Sequence, residues 1–135
     1  DPELMKWSAM PVPVWLRWMA VVVAFGCGLL WVWAVSHLGQ NLTDTVITRE
    51  QASLVTTGPY RKVRHPFYTS AFVGMLSGGL IMANWFVVLV GSIACFAFLI
   101  PRTRIEEQKL IERFGDDYRE LMQRTGRFFP RIGKQ

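Results

Sequence analysis

Residues 65–102 read HPFYTSAFVGMLSGGLIMANWFVVLVGSIACFAFLIPR, and no charged side chain occurs between the histidine and the arginine that bound the stretch. A helix needs roughly 20 apolar residues to cross a bilayer core of about 30 Å. The run is therefore long enough for two membrane-embedded arms, and Asn84 followed by Trp85 marks the turn between them. We predict a tight helical hairpin over residues 68–101. Small residues in its first arm are expected to let the second arm approach closely, namely Gly74, Ser77, Gly78 and Gly79.

A second uncharged run covers residues 18–35 and predicts a first membrane span over residues 14–36. This run begins after Pro11 and Pro13, and no small-residue cleavage pattern follows it, so we expect a span rather than a signal peptide. Together the runs predict one all-α integral membrane domain over residues 1–135. It would have about three membrane helices, one span plus the hairpin, followed by cytosolic amphipathic helices.

The basic residues indicate how these spans are oriented. The chain has 135 residues and a formal charge of +5. Four Lys or Arg residues lie in 38–67 and nine in 101–135, against two before the first span. Positive segments stay on the cytoplasmic side of a membrane. We therefore expect the connector 37–67 and the tail 102–130 to emerge on the same, cytosolic face. This topological role accounts for the cations, so no nucleic-acid partner is predicted.

The connector ends in GPYRKVRHPFY, residues 58–68, directly at the mouth of the hairpin. This segment combines three cations, a histidine and two tyrosines, which an ordinary linker does not need. Because Pro66 holds the backbone of His65 out of the helical region, the imidazole should point across the mouth. The segment predicts a polar site at the membrane surface.

The tail begins with RTRIEEQKLIERF, residues 102–114, which predicts an amphipathic helix at the other foot of the hairpin. Arg102 and Glu106 are four residues apart, so they share one helix face, and Glu107 is adjacent. These residues could be an ordinary surface ion pair worth less than about 1 kcal/mol. At the exit of a membrane hairpin, carboxylates beside an arginine also suit a zwitterionic or nucleotide-like ligand.

The tail is expected to turn after this helix. Gly115 should stop it, and Asp116 or Asp117 should cap a short helix that follows. Tyr118 and Leu121 lie on one face of that helix. The two cysteines and two histidines have no zinc-ligand spacing, and no metal site is predicted.

These segments in this order resemble the C-terminal half of the isoprenylcysteine carboxyl methyltransferase family and its phospholipid methyltransferase relatives. The shared pattern is G-x-Y-x-x-x-R-H-P-x-Y, then R-x-x-x-E-E-x-x-L-x-x-x-F-G-x-x-Y, then T-G-R-x-x-P. The resemblance covers about residues 39–130. It implies an integral-membrane enzyme that uses S-adenosylmethionine, with the active site facing the cytosol, in the inner membrane if the source is bacterial.

The resemblance also implies roles for single residues. Arg102 and Glu106 would be catalytic, with Arg102 orienting the acceptor or the cofactor carboxylate. The cofactor site would comprise Gly58, Tyr60, His65, Tyr68, Glu106, Glu107 and Arg127. The acceptor would be a lipophilic small molecule or a prenylated substrate entering from the bilayer, among membrane lipids, and carboxyl O-methylation is the reaction favoured. Family members usually carry more spans ahead of this region, so a second copy of the chain in a homo-oligomer, or residues missing from this sequence, could complete the acceptor site.

Two other functions are compatible with the residues. Membrane sterol reductases end in a similar hairpin and charged helix but bind NADPH. A small non-catalytic membrane scaffold could use the basic tail to contact anionic lipids. Cofactor binding separates these alternatives from a methyltransferase.

Overall fold

The computed structural model describes residues 5–38 and 53–131, so residues 39–52 of the predicted connector lie outside the described residues. Helices account for the regular structure of the described part, which contains no strand, and the all-α prediction is confirmed. The helices are α1 (Val14–Leu38), α2 (Pro66–Ile81), α3 (Trp85–Phe114) and α4 (Asp116–Arg124), with short 3₁₀ turns at Lys6–Ser8 and Gly58–Arg61.

Helices α1 and α3 are long and apolar enough to cross a membrane by length and composition. Only 11% of the most apolar 18-residue stretch of α1, and likewise of α3, is buried within the protein. This exposure suits a lipid-facing helix better than the core helix of a soluble protein. Helix α2 has 16 residues, or about 24 Å, and is shorter than a full crossing. The fold is therefore that of an integral membrane protein, while the number of three spans stays a prediction.

Helix α2 lies between α1 and α3 and runs antiparallel to both. At one end the Trp31 ring of α1 is 5.6 Å from that of Phe67, near the start of α2. At the other end Arg17 donates a 3.0 Å hydrogen bond to the carbonyl of Ile81, the last residue of α2. Helices α2 and α3 also pack against each other, since the centre of the Phe72 ring of α2 lies 4.8 Å from that of the Phe96 ring of α3. This arrangement brings the start of α2 to the middle of α3.

The hairpin turn is at the predicted position. Asn84 caps α3, because its side-chain oxygen accepts a hydrogen bond from the backbone N–H of Val87 at 3.1 Å. Its amide group donates to the hydroxyl of the fully buried Ser8 at 2.8 Å. The N-terminal 3₁₀ turn is thereby held against the tip of the hairpin, at the end of the molecule opposite the GPYRKVRHPFY segment.

The small residues of α2 serve both neighbouring helices. A Cβ atom on Gly79 would overlap the side chain of Val88, so the close approach of α3 needs a glycine there. A Cβ on Gly74 would instead contact Cys27 of α1, and one on Gly78 would meet nothing within 4 Å. The predicted packing face is therefore correct at Gly79 and wrong at Gly74, because the hairpin sequence alone does not show that α1 covers the other side of α2. It is also wrong at Gly78, where a Cβ would meet neither helix within 4 Å.

The predicted boundary between the hairpin and the tail is not a break in the helix. Helix α3 continues through Pro101 to Phe114 over 30 residues, or about 45 Å. A bilayer core is about 30 Å thick, so the charged part of α3 from Arg102 onward must project beyond it. Gly115, at φ +55°, ends the helix as predicted. The predicted caps were wrong, because Gly115 itself precedes α4 and both Asp116 and Asp117 lie in its first turn.

Candidate functional site

The GPYRKVRHPFY segment begins with a turn that requires glycine. Gly58 has φ +58°, a left-handed conformation, and a Cβ atom there would overlap the imidazole of His37 at the end of α1. The turn buries Pro59 and Tyr60. Gly58 therefore fixes the segment against α1, and its predicted role in cofactor binding stays a prediction.

His65 lies at the junction of this segment with α2 and faces the charged part of α3. Its backbone is outside the helical region, at φ −124° and ψ 58°, as expected for a residue before proline. Its Nε2 atom is 3.3 Å from Glu107 Oε1, and its Nδ1 atom is 3.9 Å from Glu106 Oε2. The segment before α2 and the charged part of α3 therefore meet, as predicted, and His65 lies against both glutamates of α3.

Glu107 is the centre of a buried ion cluster. It is 5% exposed, and it accepts hydrogen bonds from Arg64 Nε at 3.0 Å and from an Arg127 Nη atom at 2.5 Å, in addition to the contact with His65. Burial acts to raise the pKa of this carboxyl. The hydrogen bonds from His65, Arg127 and Arg64 outweigh burial and lower the pKa of Glu107 from 4.5 to about 2. The carboxylate thus stays ionised and ties three chain segments together.

This depressed pKa predicts acid sensitivity. A carboxyl whose pKa is lower in the folded than in the unfolded state stabilises fully above the unfolded value, and the stabilisation is lost as the pH falls through the folded value. We expect the apparent melting temperature in detergent to fall between pH 4.5 and about 2 more steeply for the wild type than for Glu107→Gln. Equal slopes in the two proteins would show that Glu107 does not carry the acid sensitivity.

A second network, closer to the surface, joins Tyr68 of α2 to α3. The Tyr68 hydroxyl donates to Glu106 Oε1 at 2.6 Å and accepts from Arg102 Nε at 2.7 Å. Arg102 Nε also lies 3.0 Å from Glu106 Oε1. The described hydrogen bonds of Arg102 all come from Nε, which leaves its two Nη groups able to donate to a ligand in a bidentate manner.

The tail after α4 docks on the residues before His65. The backbone N–H of Arg64 donates to the carbonyl of Gly126 at 2.9 Å, and that of His65 donates to the carbonyl of Arg127 at 3.0 Å. The Arg64 side chain donates to the carbonyls of Met122 and Thr125 at 3.2 and 2.7 Å. These bonds hold α4 and the tail against the hairpin mouth, which brings Arg127 to Glu107.

Gly126 is the position in this tail where a side chain is least tolerated. A Cβ atom there would overlap the carbonyl oxygen of Phe129, which is backbone and cannot move aside cheaply. We expect Gly126→Ala to destabilise the protein by about 1–3 kcal/mol, measured as a lower apparent melting temperature in detergent. Gly78→Ala is the matched control, because its Cβ meets nothing within 4 Å. Equal melting temperatures for both variants would contradict the tight packing at Gly126.

A cavity of about 700 Å³ opens between these elements. One face of α3 lines it along its length, from Ala97 to Leu110, which corresponds to a rise of about 20 Å. The membrane end is apolar, with Ala97, Phe98 and Pro101. The polar wall in the middle consists of Arg64, His65, Tyr68, Arg102 and Glu106, and the α4 end contains Leu110, Tyr118 and Leu121.

The predicted site residues divide into two groups in this cavity. Those that line it are Tyr60, His65, Tyr68, Arg102 and Glu106. Gly58, Glu107 and Arg127 are not among the lining residues: Glu107 is buried and paired with Arg127, and Gly58 lies against His37 of α1. Their predicted roles in cofactor binding stay predictions. Sequence reasoning gave no site role to Arg64, Lys109, Leu110, Tyr118 or Leu121. The shared face of Lys109 and Leu110 with Arg102 and Glu106 was the available signal for two of them.

Among residues 5–38 and 53–131, no group of three or more His, Cys, Asp or Glu side chains could hold a metal ion. The polar wall instead combines two arginines, a histidine and a tyrosine with the carboxylate of Glu106, an arrangement suited to an organic ion.

Comparison with known proteins gives a consistent family. Residues 18–112 match the model of the isoprenylcysteine carboxyl methyltransferase (ICMT) family. The protein-S-isoprenylcysteine O-methyltransferase of Schizosaccharomyces pombe is 30% identical over 101 residues, which cover 73% of this chain and 43% of that protein. The rat protein of the same name is 29% identical over 133 residues, 96% of this chain and 46% of that protein. The nickel-cobalt-cadmium resistance protein NccN of Alcaligenes xylosoxydans xylosoxydans is 34% identical over 84 residues, 62% of this chain and 39% of that protein.

The fold has a match among solved structures. The eukaryotic intramembrane Ras methyltransferase ICMT superimposes with a TM-score of 0.78 and 27% sequence identity, over 87% of this chain and 43% of that chain. The chain thus spans about half the length, or less, of the relatives named here.

Proposed function

Since this chain belongs to the isoprenylcysteine carboxyl methyltransferase family, we propose that it binds S-adenosylmethionine and directs methyl transfer to the carboxylate of a lipophilic acceptor at the membrane. The observation that carries this proposal is the cavity along α3, which joins an apolar membrane end to a polar wall and an α4 end. A lipophilic acceptor and a polar methyl donor could occupy its opposite ends and meet at the wall.

The described residues fit such a donor. A volume of about 700 Å³ is within the range of sites for small molecules and cofactors. Glu106, about one-third exposed, can accept from an ammonium group, and Arg64 and His65 offer donors in the same wall. The hydroxyl of Tyr118, buried at the α4 end, has no partner among the described residues, and a bound ligand would supply one. S-adenosylmethionine, when bound, supplies an electrophilic methyl group on a sulfonium sulfur.

Arg102 is proposed to hold the acceptor. It lies between the apolar membrane end and Glu106 and is about half exposed. Its hydrogen bonds within the described residues come from Nε, which leaves the Nη groups able to form a bidentate pair with a carboxylate. Tyr68 and Glu106 bind its Nε atom and so fix the direction of the guanidinium. An acceptor held in this way needs no general base, since an ionised carboxylate has no proton to lose.

The lipophilic part of the acceptor is assigned to the membrane end of the cavity. Phe98 and Pro101 line this end on the lipid-exposed part of α3, with Phe67 opposite on α2. An isoprenylcysteine joins an apolar chain to a carboxylate, which matches the order of these surfaces, and two of the relatives carry its name. A small lipophilic carboxylate has the same combination of groups and is the alternative acceptor. A second copy of the chain could contribute residues to the membrane end of the cavity.

The site is proposed to face the cytosol. Cationic residues of the motif and tail, among them Arg64, Arg102 and Lys109, line the cavity, and positive residues of membrane proteins are concentrated on the cytoplasmic side. Cysteine labelling from either side of sealed vesicles, at Gln123→Cys on α4, tests this orientation.

The function is tested by titrating the purified protein in detergent or nanodiscs with S-adenosylhomocysteine, S-adenosylmethionine and NADPH. We expect the two adenosyl ligands to bind and NADPH not to compete with them. A labelled methyl donor then identifies acceptors from a panel of isoprenylcysteines, fatty acids, and lipophilic thiols and amines. Preferential binding of NADPH, or the absence of any adenosyl-ligand binding, would overturn the proposal.

A further inference from the structure

A small groove lies at the end of the molecule opposite the polar site. Its volume is about 230 Å³, and it is lined by Val14, Arg17, Trp18 and Val21 of α1 and by Ile81, the last residue of α2. The four residues of α1 follow the i, i+3, i+4, i+7 spacing, so they share one helix face over about 10 Å. Among the described lining residues Arg17 alone is charged, so the groove joins an apolar surface to a single cation.

The end of α2 lies deep in the membrane for a helix terminus. Helix α2 begins beside the polar site and has 16 residues, or about 24 Å, so it ends about 6 Å short of the far side of a bilayer core of about 30 Å. The last carbonyls of a helix have no partner within it, and such groups are costly in hydrocarbon. Arg17 supplies a partner, since its Nε atom donates to the carbonyl oxygen of Ile81 at 3.0 Å. This bond places a guanidinium at the same depth.

The described residues at this end supply that guanidinium with no counter-charge. Residues 5–21 and 81–92 contain two cations, Lys6 and Arg17, and no Asp or Glu. The hydrogen bond of Arg17 within the described part of the chain comes from Nε, which leaves its two Nη groups able to donate to one anion in a bidentate manner. A cation near the bilayer core is costly unless water, a thinned bilayer or an anion reaches it. A phosphate group meets this requirement.

The neighbouring side chains favour a lipid phosphate over a soluble one. Trp15 and Trp18 are largely exposed on α1, and such rings are typical of the headgroup level of a bilayer. The other lining residues are apolar, and the most apolar stretch of α1 is largely exposed. An acyl chain can therefore follow Val14, Val21 and Ile81 while its phosphate reaches Arg17.

We propose that this groove binds one phospholipid of the leaflet opposite the polar site, with its phosphodiester on the Nη groups of Arg17 and an acyl chain along the groove. The phosphate neutralises the cation that satisfies Ile81, and it stabilises the packing of α1 against a helix too short for a full crossing. An anionic phospholipid is favoured, because two cations without a nearby described carboxylate attract it. The site is independent of the proposed methyl transfer, since the cavity lies at the other ends of α1 and α2.

Arg17→Gln tests this inference, because glutamine retains a donor for Ile81 and removes the charge. Native mass spectrometry of the full, delipidated chain in detergent measures the dissociation constant of the first bound phosphatidylglycerol. We expect this constant to rise about fivefold to tenfold in the variant. Phosphatidylglycerol should also raise the apparent melting temperature of the wild type more than that of the variant, and inorganic phosphate should raise neither. Lys6→Gln is the matched control, because it removes a cation of the same end outside the groove, and it should leave the constant nearly unchanged.

Val21→Phe tests the groove separately, because it fills the apolar part and leaves the bond between Arg17 and Ile81 intact. It remains informative if Arg17→Gln is unstable. We expect it to weaken binding of phosphatidylglycerol, whereas Val32→Phe, the same change at an exposed position of α1 outside the groove, should not.

Four results would overturn the inference. Lipid affinity could be equal in the wild type and Val21→Phe, or Arg17→Gln could lower the melting temperature with unchanged lipid affinity, which would leave Arg17 as a helix cap alone. Equal protection by inorganic phosphate would make the ligand a soluble anion. A wild-type dimer that Arg17→Gln converts to a monomer would make the occupant a second copy of the chain.

Discussion

Replacing Glu107 by glutamine is expected to lower the apparent melting temperature strongly and to abolish binding of S-adenosylhomocysteine. The carboxylate is the shared partner of Arg64, Arg127 and His65, and the variant leaves two guanidinium groups facing a neutral amide in a buried setting. Breaking a buried ion pair by removing one partner costs about 3–5 kcal/mol. The loss of ligand binding would be indirect, because Glu107 lies behind the cavity wall and holds the tail and the motif in position.

Two further variants test whether the loss of stability is specific to Glu107. Glu120→Gln removes a carboxylate that is 67% exposed and that, within the described residues, forms an ion pair with Arg124 at 3.7 Å, so the stability of this variant should be close to that of the wild type. Arg127→Gln removes one cation from the cluster and should have an intermediate effect, since Arg64 and His65 still bind Glu107. A Glu107→Gln protein as stable as the Glu120→Gln protein would refute the central position of Glu107.

Replacing Arg102 by glutamine is expected to reduce kcat/KM for a carboxylate acceptor by about 100-fold or more, which corresponds to about 3 kcal/mol of lost acceptor binding and alignment. The physical reason is that a bidentate guanidinium–carboxylate pair both attracts and orients the nucleophile, and an amide does neither with comparable strength. Arg102 contributes to the cavity wall rather than to the buried cluster, so the fold should tolerate the change.

The affinity for S-adenosylhomocysteine separates the two roles that the sequence left open for Arg102. If Arg102 holds the acceptor, this dissociation constant should stay within about threefold of the wild type while kcat/KM falls. A large loss of S-adenosylhomocysteine affinity would instead place Arg102 at the donor carboxylate. Arg104→Gln is the control, since Arg104 is exposed on the same helix but does not line the cavity. It should change neither constant.

The family membership and the membrane fold were predictable because they depend on local patterns. An uncharged run of residues 66–101 can satisfy its backbone in a bilayer only as helix, and Asn84 is a good capping residue at its centre. Once the hairpin is assigned, the segment that enters it and the charged helix that leaves it must lie close together. The meeting of Tyr68 with Arg102 and Glu106 follows from that geometry.

Which charged side chains are buried inside the protein was not predictable in the same way. Glu106 and Glu107 are adjacent in the chain, but consecutive residues of a helix point about 100° apart, so one faces the cavity and the other faces the interior. Which of the two is buried depends on where Arg64 and Arg127 lie, and Arg127 reaches Glu107 only because the tail pairs with the backbone of Arg64 and His65. Such pairing between segments distant in sequence leaves no periodic signal.

The sequence by itself thus determined the helices, the hairpin and the kinds of residue at its mouth, because the bilayer restricts an uncharged segment to very few structures. Only the tertiary structure decided how the α4 segment and the tail close the site. It separated the residues that line the cavity, such as Arg102 and Glu106, from the ion pair of Glu107 and Arg127, which does not line it. It also showed that Tyr118, which the sequence places only on one face of a short helix, carries a buried hydroxyl at the end of the cavity. This was not predictable, because burial and hydrogen-bond satisfaction depend on which distant elements meet.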